Sequence, residues 1–406
     1  MSGRPQFGKP LRMPSRSRSR AGAGEAAPLR YVAEHAWAGY GEAADRLVRA
    51  VRGLGVDVAV RGWSGGDHGA APALVPFPGD HDPRRQAADG ATTVVHLVPE
   101  HSPLVREVVG DGSFVAHTVW ETDRLPAHWP ALLNATDTVI VPNEWNREVF
   151  VDSGVTVPVA VVGHVACDPV PGDRGARLAL PDDVVVFYTI GRWDTRKALD
   201  LAVEAFLRAF RSSDPVVLVV KTGTTIDSVP DPTFLPDHPL ASTVGWQVAA
   251  LVRHHADPLR CGSRPTRGPV PRSRAPPTWR RVRGPAPRGG VGPRRVRRCA
   301  YGNPVVMTGW GGQLAYLDPA TSWLVDSRLV PVVHPQPASY TPDQRWAAPD
   351  LDHAVQQLRA VYADVAAARE RAAPQRERVL REFAPDRVAR TFLAALGIEP
   401  PPPEKS

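Results

Sequence analysis

The fold is decided by the stretch VVVFYTIGRWDTRKALDLAVEAFLRAF, residues 184–210. It begins with a continuous apolar, β-branched run, which is typical of a strand buried on both faces of a parallel sheet. Gly191 then permits a tight turn, and behind it apolar residues recur at helical spacing: Leu199, Ala202, Val203, Phe206 and Phe210. The stretch therefore predicts a strand, a turn and a helix of a parallel α/β sheet.

The same alternation continues on both sides of this unit. Residues 29–63 predict a strand, a glycine turn, a helix over 42–52 and a second strand. Asn143 and Gly154 are the expected cap and stop of a further helix. Four more strands are predicted in this half, over 93–101, 113–123, 137–143 and 157–165. Residues 350–396 read as helix.

Composition places the domain boundaries. Residues 1–27 contain the run SRSRSR and too little apolar surface to fold, which predicts a disordered basic tail. Residues 168–183 are rich in Pro, Gly and charge, as a hinge is. Because 406 residues exceed the size that one core usually supports, we expect two domains, 28–167 and 184–380. A carboxyl-terminal helix and tail, 381–406, follows them.

The net charge of +7 belongs to one segment. Residues 253–299 contain 14 arginines and one acidic residue, Asp257, so the rest of the chain is net acidic. Such a segment, together with the SRSRSR tail, raises the alternative of nucleic-acid binding. Its only aromatic residue is Trp279, so nothing interleaves with the charges to stack on bases. We therefore do not expect a nucleic acid as the partner.

Other features exclude further classes of protein. Cys167, Cys261 and Cys299 share no metal-ligand spacing, and no paired-acid motif for a divalent ion is evident. We expect neither a metal nor a bound cofactor. No apolar run approaches the roughly 18 residues of a membrane span, and no signal-peptide core follows Met1. The expected location is cytoplasmic, and peripheral association with a membrane stays open.

The turn after Gly191 carries the strongest candidate site. Arg192 and Lys197 lie on either side of the expected helix start. Two cationic side chains beside helix amides suit a diphosphate. From these residues alone, a solvated basic pair is an equally good interpretation.

Three stretches together resemble a known family. GRWDTRK, residues 191–197, resembles the Gly-Arg and Lys that grip the donor diphosphate in retaining GT-B glycosyltransferases of the family 4, or group 1, type. WAGYGEAADRLVRAV, 37–51, resembles that family's glycine loop and helix near the donor phosphates. AYGNPVVMTGWGGQLAYL, 300–317, resembles its strand and glycine turn near the donor sugar. TVWETDRLPAHWPALLNATDTVIVPNEWNREVF, 118–150, resembles an acceptor-domain block, and the similarity extends over about 29–396.

The resemblance implies a GT-B fold of two Rossmann-like, doubly wound α/β domains that face a cleft, with 28–167 on the acceptor side and 184–380 on the donor side. It implies metal-independent, hexosyltransferase-like transfer of a sugar from a nucleotide-sugar co-substrate to an acceptor hydroxyl, with retained configuration, in polysaccharide biosynthesis or another glycan pathway. The donor-binding residues that it implies are Arg192, Lys197, Gly39, Gly41, Gly309, Gly311 and Gly312.

The acceptor side offers candidate catalytic residues. Glu121 and Asp123 follow a predicted strand at its carboxyl end, where active-site loops gather, and His117 lies within that strand. Glu121 is the first catalytic candidate, His117 the second, and Asp123 an acceptor-side candidate. A surface carboxylate that caps the next turn is an equally good interpretation of Glu121. His101 and His164, also at strand ends, are weaker candidates.

The resemblance fails just before Ala300. There the family places a Glu, seven residues and a second carboxylate around Gly-Glu-Gly-Trp-Gly, which contact the donor sugar and ribose. This chain reads RGGVGPRRVRR at 288–298 and has no acidic residue from 258 to 299. If each codon takes the last two bases of one codon and the first base of the next, residues 278–299 can encode HGDAYVALPRGEGWGLGAFDAA.

The shifted reading restores the Glu, the seven residues and an Asp. We infer one frameshift near 253–264 and a compensating one near Ala300. The two shifts either lie in the gene or are errors of sequencing. Residues 253–299 are therefore expected to be irregular and out of frame, and the literal chain to be impaired. A catalytically dead GT-B protein is the alternative.

Overall fold

The computed structural model describes residues 27–34, 39–65, 71–78, 80, 82, 84–166, 180–181, 183–223, 243–255, 281–283, 299–333 and 339–402, and of 281–283 the backbone alone. Ala27, predicted as the last residue of the disordered tail, is instead buried as the first residue of the strand Ala27–Glu34, β1, where its amide bonds the Gln86 carbonyl. The rest of the predicted tail, most of the predicted hinge and most of the arginine-rich segment lie outside the described residues. The domain boundaries drawn through them stay predictions.

A seven-stranded sheet forms the first half. Its order is β3-β2-β1-β4-β5-β6-β7, and every neighbouring pair is parallel except β2 with β3. An order that runs outward from β1 in both directions is the doubly wound arrangement. The strands are β1 Ala27–Glu34, β2 Val58–Ser64, β3 Ala73–Pro76, β4 Ala87–His96, β5 Phe114–His117, β6 Thr138–Val141 and β7 Val159–Val161.

Helices connect these parallel strands. The Asn143 side chain accepts a hydrogen bond of 2.8 Å from the Asn146 amide, which confirms the predicted cap. The helices are α1 Tyr40–Gly53, α2 Ser102–Val109, α3 Trp129–Leu133 and α4 Glu144–Asp152. The β5 strand ends at His117, although the apolar pattern predicted a strand as far as Asp123. Beyond His117 the chain continues to Glu121 as a loop without strand structure, although Thr118, Trp120 and Thr122 remain buried.

The second half contains the opening βα unit. Its strands β8 Val185–Ile190 and β9 Val216–Lys221 pair in parallel, and α5 spans Leu199–Ala209. All five residues of the predicted apolar stripe are buried, which confirms the helical periodicity. Further elements are α6 Val244–Arg253, β10 Arg281–Arg283, β11 Val306–Thr308, β12 Trp323–Val325, β13 Ser327–Pro331 and β14 Arg345–Pro349.

β10 pairs in parallel with β8, and places Arg281 opposite Val186 and Arg283 opposite Tyr188. β11 and β12 form a parallel pair, whereas β13 and β14 are antiparallel.

The predicted carboxyl-terminal helix divides into three helices, α7 Leu351–Ala363, α8 Val365–Glu382 and α9 Pro385–Ala395. Asp364 is extended and breaks the first junction, while its side chain caps α8 through the Ala367 amide. α9 returns to the first half, where Phe392 and Leu393 share a core with Leu47 and Val51 of α1. Burial of this apolar face stabilises α9 against the first half.

Candidate active site

Two loops that follow sheet strands meet at one point. Glu121 lies beyond the end of β5, and Lys197 closes the turn between β8 and α5. The Lys197 ammonium Nζ lies 2.9 Å from Glu121 Oε1. The sequence predicted both residues as functional, but for opposite sides of a cleft. The structure brings them into direct contact.

Two more side chains bind the same carboxylate. The Arg196 guanidinium donates from Nη1 to both oxygens of Glu121, and the Tyr340 hydroxyl donates to Oε2 at 3.2 Å. The side chains of Glu121 and Arg196 are each only 13% exposed. Burial works against the charge of Arg196, but Glu121, Tyr340 and Asp194 outweigh it and raise the Arg196 pKa. Neither Arg196 nor Tyr340 was predicted as a functional residue from the sequence.

Asp194 shapes the turn that presents these cations. Its Oδ1 accepts a 2.6 Å hydrogen bond from the Lys197 amide, and its backbone oxygen accepts from the amides of Lys197 and Ala198. Ala198 then adopts φ +43°, in the left-handed region that disfavours residues with a Cβ. The buried Asp194 side chain also lies 3.7 Å from both Arg192 and Arg196. A carboxylate followed by basic residues in a strand-to-helix turn was the signal for this role.

Arg192 is placed differently from Lys197. Its side chain is 64% exposed, against 21% for Lys197. Burial raises the pKa of Glu34, at the end of β1, and the charge of Arg192 opposes that rise. Arg192 therefore lies near the carboxyl edge of the first sheet, on the open side of the Glu121 cluster.

The predicted glycine loop reaches the same region. Gly39 has φ +54° and precedes α1, and Gly41 is buried in the first turn of the helix. Between them, the Tyr40 hydroxyl shares a 3.0 Å hydrogen bond with Thr118 and donates to the Val119 carbonyl at 3.4 Å. Burial raises the Tyr40 pKa to about 12. The loop is thus fixed against the segment that leads to Glu121.

The second glycine cluster contacts α4. Gly309 donates its amide to Val325 at 2.8 Å, and a Cβ there would lie 3.3 Å from the Cβ of Leu324. Gly311 has φ +79° and begins, with Gly312, the short 3₁₀ helix Gly311–Ala315. The Trp310 ring meets the Trp145 ring of α4 edge-on at 5.0 Å. These glycines therefore lie where the second half touches the first.

His117 lies in the core beneath the Glu121 segment. Its ring stacks on His96 at 3.8 Å, and its Nδ1 lies 3.0 Å from the Tyr31 hydroxyl, which also bonds His96 at 2.8 Å. The residue is 3% exposed, and burial lowers its pKa to about 3, with a contribution from His164. The structure does not bring His117 to the carboxylate of Glu121. His164 is 8% exposed, while His101 packs against Trp63.

Asp123 joins the two halves. Its amide donates to the Arg345 carbonyl at 3.0 Å, and its Oδ1 accepts from the Arg345 amide at 2.6 Å. Next to it, the Tyr340 ring stacks on Trp120 at 4.7 Å. Residues 339–345, which the sequence placed in the second half, therefore pack on the loop after β5 in the first half. Within the described ranges, no group of three or more His, Cys, Asp or Glu is arranged to hold a metal ion.

Neither a family profile nor a curated protein sequence matches this chain. Several solved structures do match this chain. The chain is similar to Thermosynechococcus elongatus sucrose-phosphate synthase, at 15% identity and a TM-score of 0.59 over 91% of this chain and 98% of that one. It is equally similar to the E. coli structure described as trehalose-6-phosphate bound with UDP-2-fluoro glucose, at 14% identity and TM-score 0.59 over 92% and 100%.

A S. aureus TarM mutant in complex with fondaparinux, alpha-GlcNAc-glycerol and UDP matches at 11% identity and TM-score 0.50, over 75% of this chain. The chain spans only 55% of the TarM length. These structures are GT-B glycosyltransferases. The chain therefore has the GT-B fold, and the predicted α/β class of two Rossmann-like domains facing a cleft is confirmed. Among the described residues, no helix is both long and apolar enough to cross a membrane.

Proposed function

We propose that this chain is a glycosyltransferase that moves a sugar from a nucleotide-sugar donor to an acceptor hydroxyl, with retained configuration and without a metal. The contact between Glu121 and Lys197 carries the proposal, because it unites the residues expected to serve the acceptor and the donor. The fold supports it, because two structures with this fold hold such ligands. TarM is in complex with UDP, and the E. coli structure is bound with UDP-2-fluoro glucose.

Charge develops on the leaving diphosphate during such a transfer. Preorganised cations stabilise that charge in a site shielded from water. Arg192, on the open side, and Lys197, at the start of α5, serve as these cations. The acceptor attacks on the face from which the diphosphate leaves, and the leaving phosphate takes the acceptor proton. Glu121 is the polar residue that the acceptor-side loop supplies near the reacting centre, and it is our first catalytic candidate.

The literal chain lacks the donor-side carboxylates, and we propose that a double frameshift removed them. β10 supports this proposal. A strand beside β8 in a parallel sheet is normally a continuous apolar run, but β10 reads Arg-Val-Arg. In the shifted frame the same three positions read Ala-Tyr-Val and continue with Ala-Leu. The restored Glu and Asp come later in the same shifted reading, at positions that lie outside the described residues.

The test compares two proteins, the literal chain and a chain with the reading frame restored between Trp246 and Gly302. Both are incubated with nucleotide sugars and glycan acceptors, and sugar transfer is measured. We expect transfer by the restored chain and little or none by the literal one. Equal transfer by both would contradict the frameshift, and resequencing the DNA between the two codons decides it independently.

We also propose, from the family resemblance, a cytoplasmic enzyme of polysaccharide synthesis. Fractionation of cells that express the restored chain tests the location. Recovery outside the cytoplasm would contradict it.

A further inference from the structure

The Lys197 ammonium, which the proposed function assigns to the donor diphosphate, is bound to Glu121 in this structure. The Nζ to Oε1 distance of 2.9 Å is that of a charge-assisted hydrogen bond. A carboxylate and a phosphate present the same chemistry to an ammonium, namely anionic oxygens that accept hydrogen bonds. Glu121 and a diphosphate can therefore each accept a hydrogen bond from the Lys197 ammonium.

Glu121 does not depend on Lys197 for its position. Arg196 donates to both of its oxygens, and Tyr340 donates to Oε2 at 3.2 Å. The two cations that bind Glu121 are both largely buried: the Arg196 side chain is 13% exposed and the Lys197 side chain 21%. Lys197 is the more accessible cation, and the carboxylate keeps two other partners when the lysine leaves it.

We propose that Glu121 and the donor diphosphate are alternative partners of Lys197, so that Glu121 guards the diphosphate subsite until a donor displaces it. This inference rests on the proposed function. The pair connects the loop after β5 to the turn between β8 and α5. When the diphosphate arrives, Lys197 turns to it, while Arg196 and Tyr340 retain Glu121 as positioning residues. Binding of the sugar donor thereby breaks the contact between Lys197 and Glu121, which is one of the contacts between the two halves.

The experiment measures the affinity of the full chain for inorganic pyrophosphate by calorimetry. Pyrophosphate reports on the diphosphate subsite alone. Its binding needs neither the sugar contact nor the ribose contact of the two carboxylates that residues 253–299 lack in this frame. Glu121→Gln keeps the size of the side chain and removes the competing charge. We expect this variant to bind pyrophosphate at least about tenfold more tightly than the unaltered chain.

Glu204→Gln is the matched control. Glu204 is 20% exposed and also contacts two basic side chains, Arg208 and His255, but it lies farther along α5. This variant loses the same net charge, so it corrects for the general effect of charge on anion binding. We expect its affinity for pyrophosphate to change less than about twofold. Lys197→Ala should weaken binding in either background.

A second variant covers the case in which Glu121→Gln folds poorly because Arg196 loses its partner. Tyr340→Phe changes no charge at neutral pH and removes one hydrogen bond to Glu121, so the carboxylate is held less firmly. A smaller tightening in the same direction is expected. Unchanged or weaker binding by both variants, while Lys197→Ala still weakens binding, overturns the guard and leaves the proposed function intact. Absence of binding in every form overturns both.

Discussion

Arg196 donates hydrogen bonds to both carboxylate oxygens of Glu121, although the two residues belong to different halves of the chain. Each side chain is 13% exposed, so water screens this pair only weakly. The pair therefore helps to set how the loop after β5 meets the turn between β8 and α5. The strength of the hydrogen bonds from Arg196 determines whether the Glu121 side chain is held in a single position.

Replacement of Arg196 by Met should destabilise the chain, because Glu121 keeps Lys197 and Tyr340 but loses its bidentate partner. We expect the free energy of unfolding to fall by about 3 kcal/mol. Urea denaturation measures this loss. Arg196→Lys retains a positive charge that can still donate to Glu121 and should lose less. A change below about 0.5 kcal/mol for Arg196→Met would show that the pair does not fix the cleft.

The buried histidine pair should make the first half sensitive to acid. Burial lowers the pKa of His117 to about 3, and the pKa of His96 is also well below 6.5. Because unfolding returns both to ordinary values, the unfolded chain binds more protons once the pH drops below about 6.5. Stability is therefore fully present above that pH and is lost as the pH falls toward the folded values.

His117→Phe removes one of these titrations. Between pH 6 and 5, its stability should fall less steeply than that of the unaltered chain, by up to about 1.4 kcal/mol per pH unit. Urea midpoints across this range provide the measurement. His254→Gln, at an exposed position, is the matched control. Parallel pH profiles for His117→Phe and the unaltered chain would rule out the pair as the acid-sensitive element.

Ala198 carries local strain at the start of α5. Its φ of +43° is in the left-handed region, which costs a residue with a Cβ about 1 kcal/mol. Ala198→Gly should therefore stabilise the chain by up to about 1 kcal/mol, whereas Ala202→Gly, inside the same helix, should destabilise it by a similar amount. Thermal unfolding of both variants tests the opposite signs. If the glycine at 198 destabilises as well, the turn is not strained.

Much of the fold could be predicted because local patterns determine it. The stripe from Leu199 to Phe210 specified α5, and Asn143 specified the start of α4. The site could be predicted only in part. The sequence offered Glu121 and Lys197 as candidates from their places beyond strands, and their roles stay predictions. A single sequence does not reveal which partners tertiary packing brings to them.

Tyr340 illustrates the limit. It lies 219 residues from Glu121, and no periodicity connects the two. The apolar run through Trp120 likewise hid the end of β5, because a cleft loop that packs on aromatic rings is as apolar as a strand. The sequence predicted His117 within a strand and offered it as the second catalytic candidate. In the structure it is the last residue of β5, and its ring stacks on His96 in the core.

The most direct test of the central claim is calorimetry on the chain with its reading frame restored, titrated with a panel of nucleoside diphosphates that begins with UDP. The variant Arg192→Ala with Lys197→Ala is compared with Arg49→Ala with Arg147→Ala, which loses the same charge at exposed helical positions. We predict that at least one nucleotide binds and that only the first variant weakens its affinity, by about 100-fold. Unchanged affinity of that variant for every nucleotide would contradict the account.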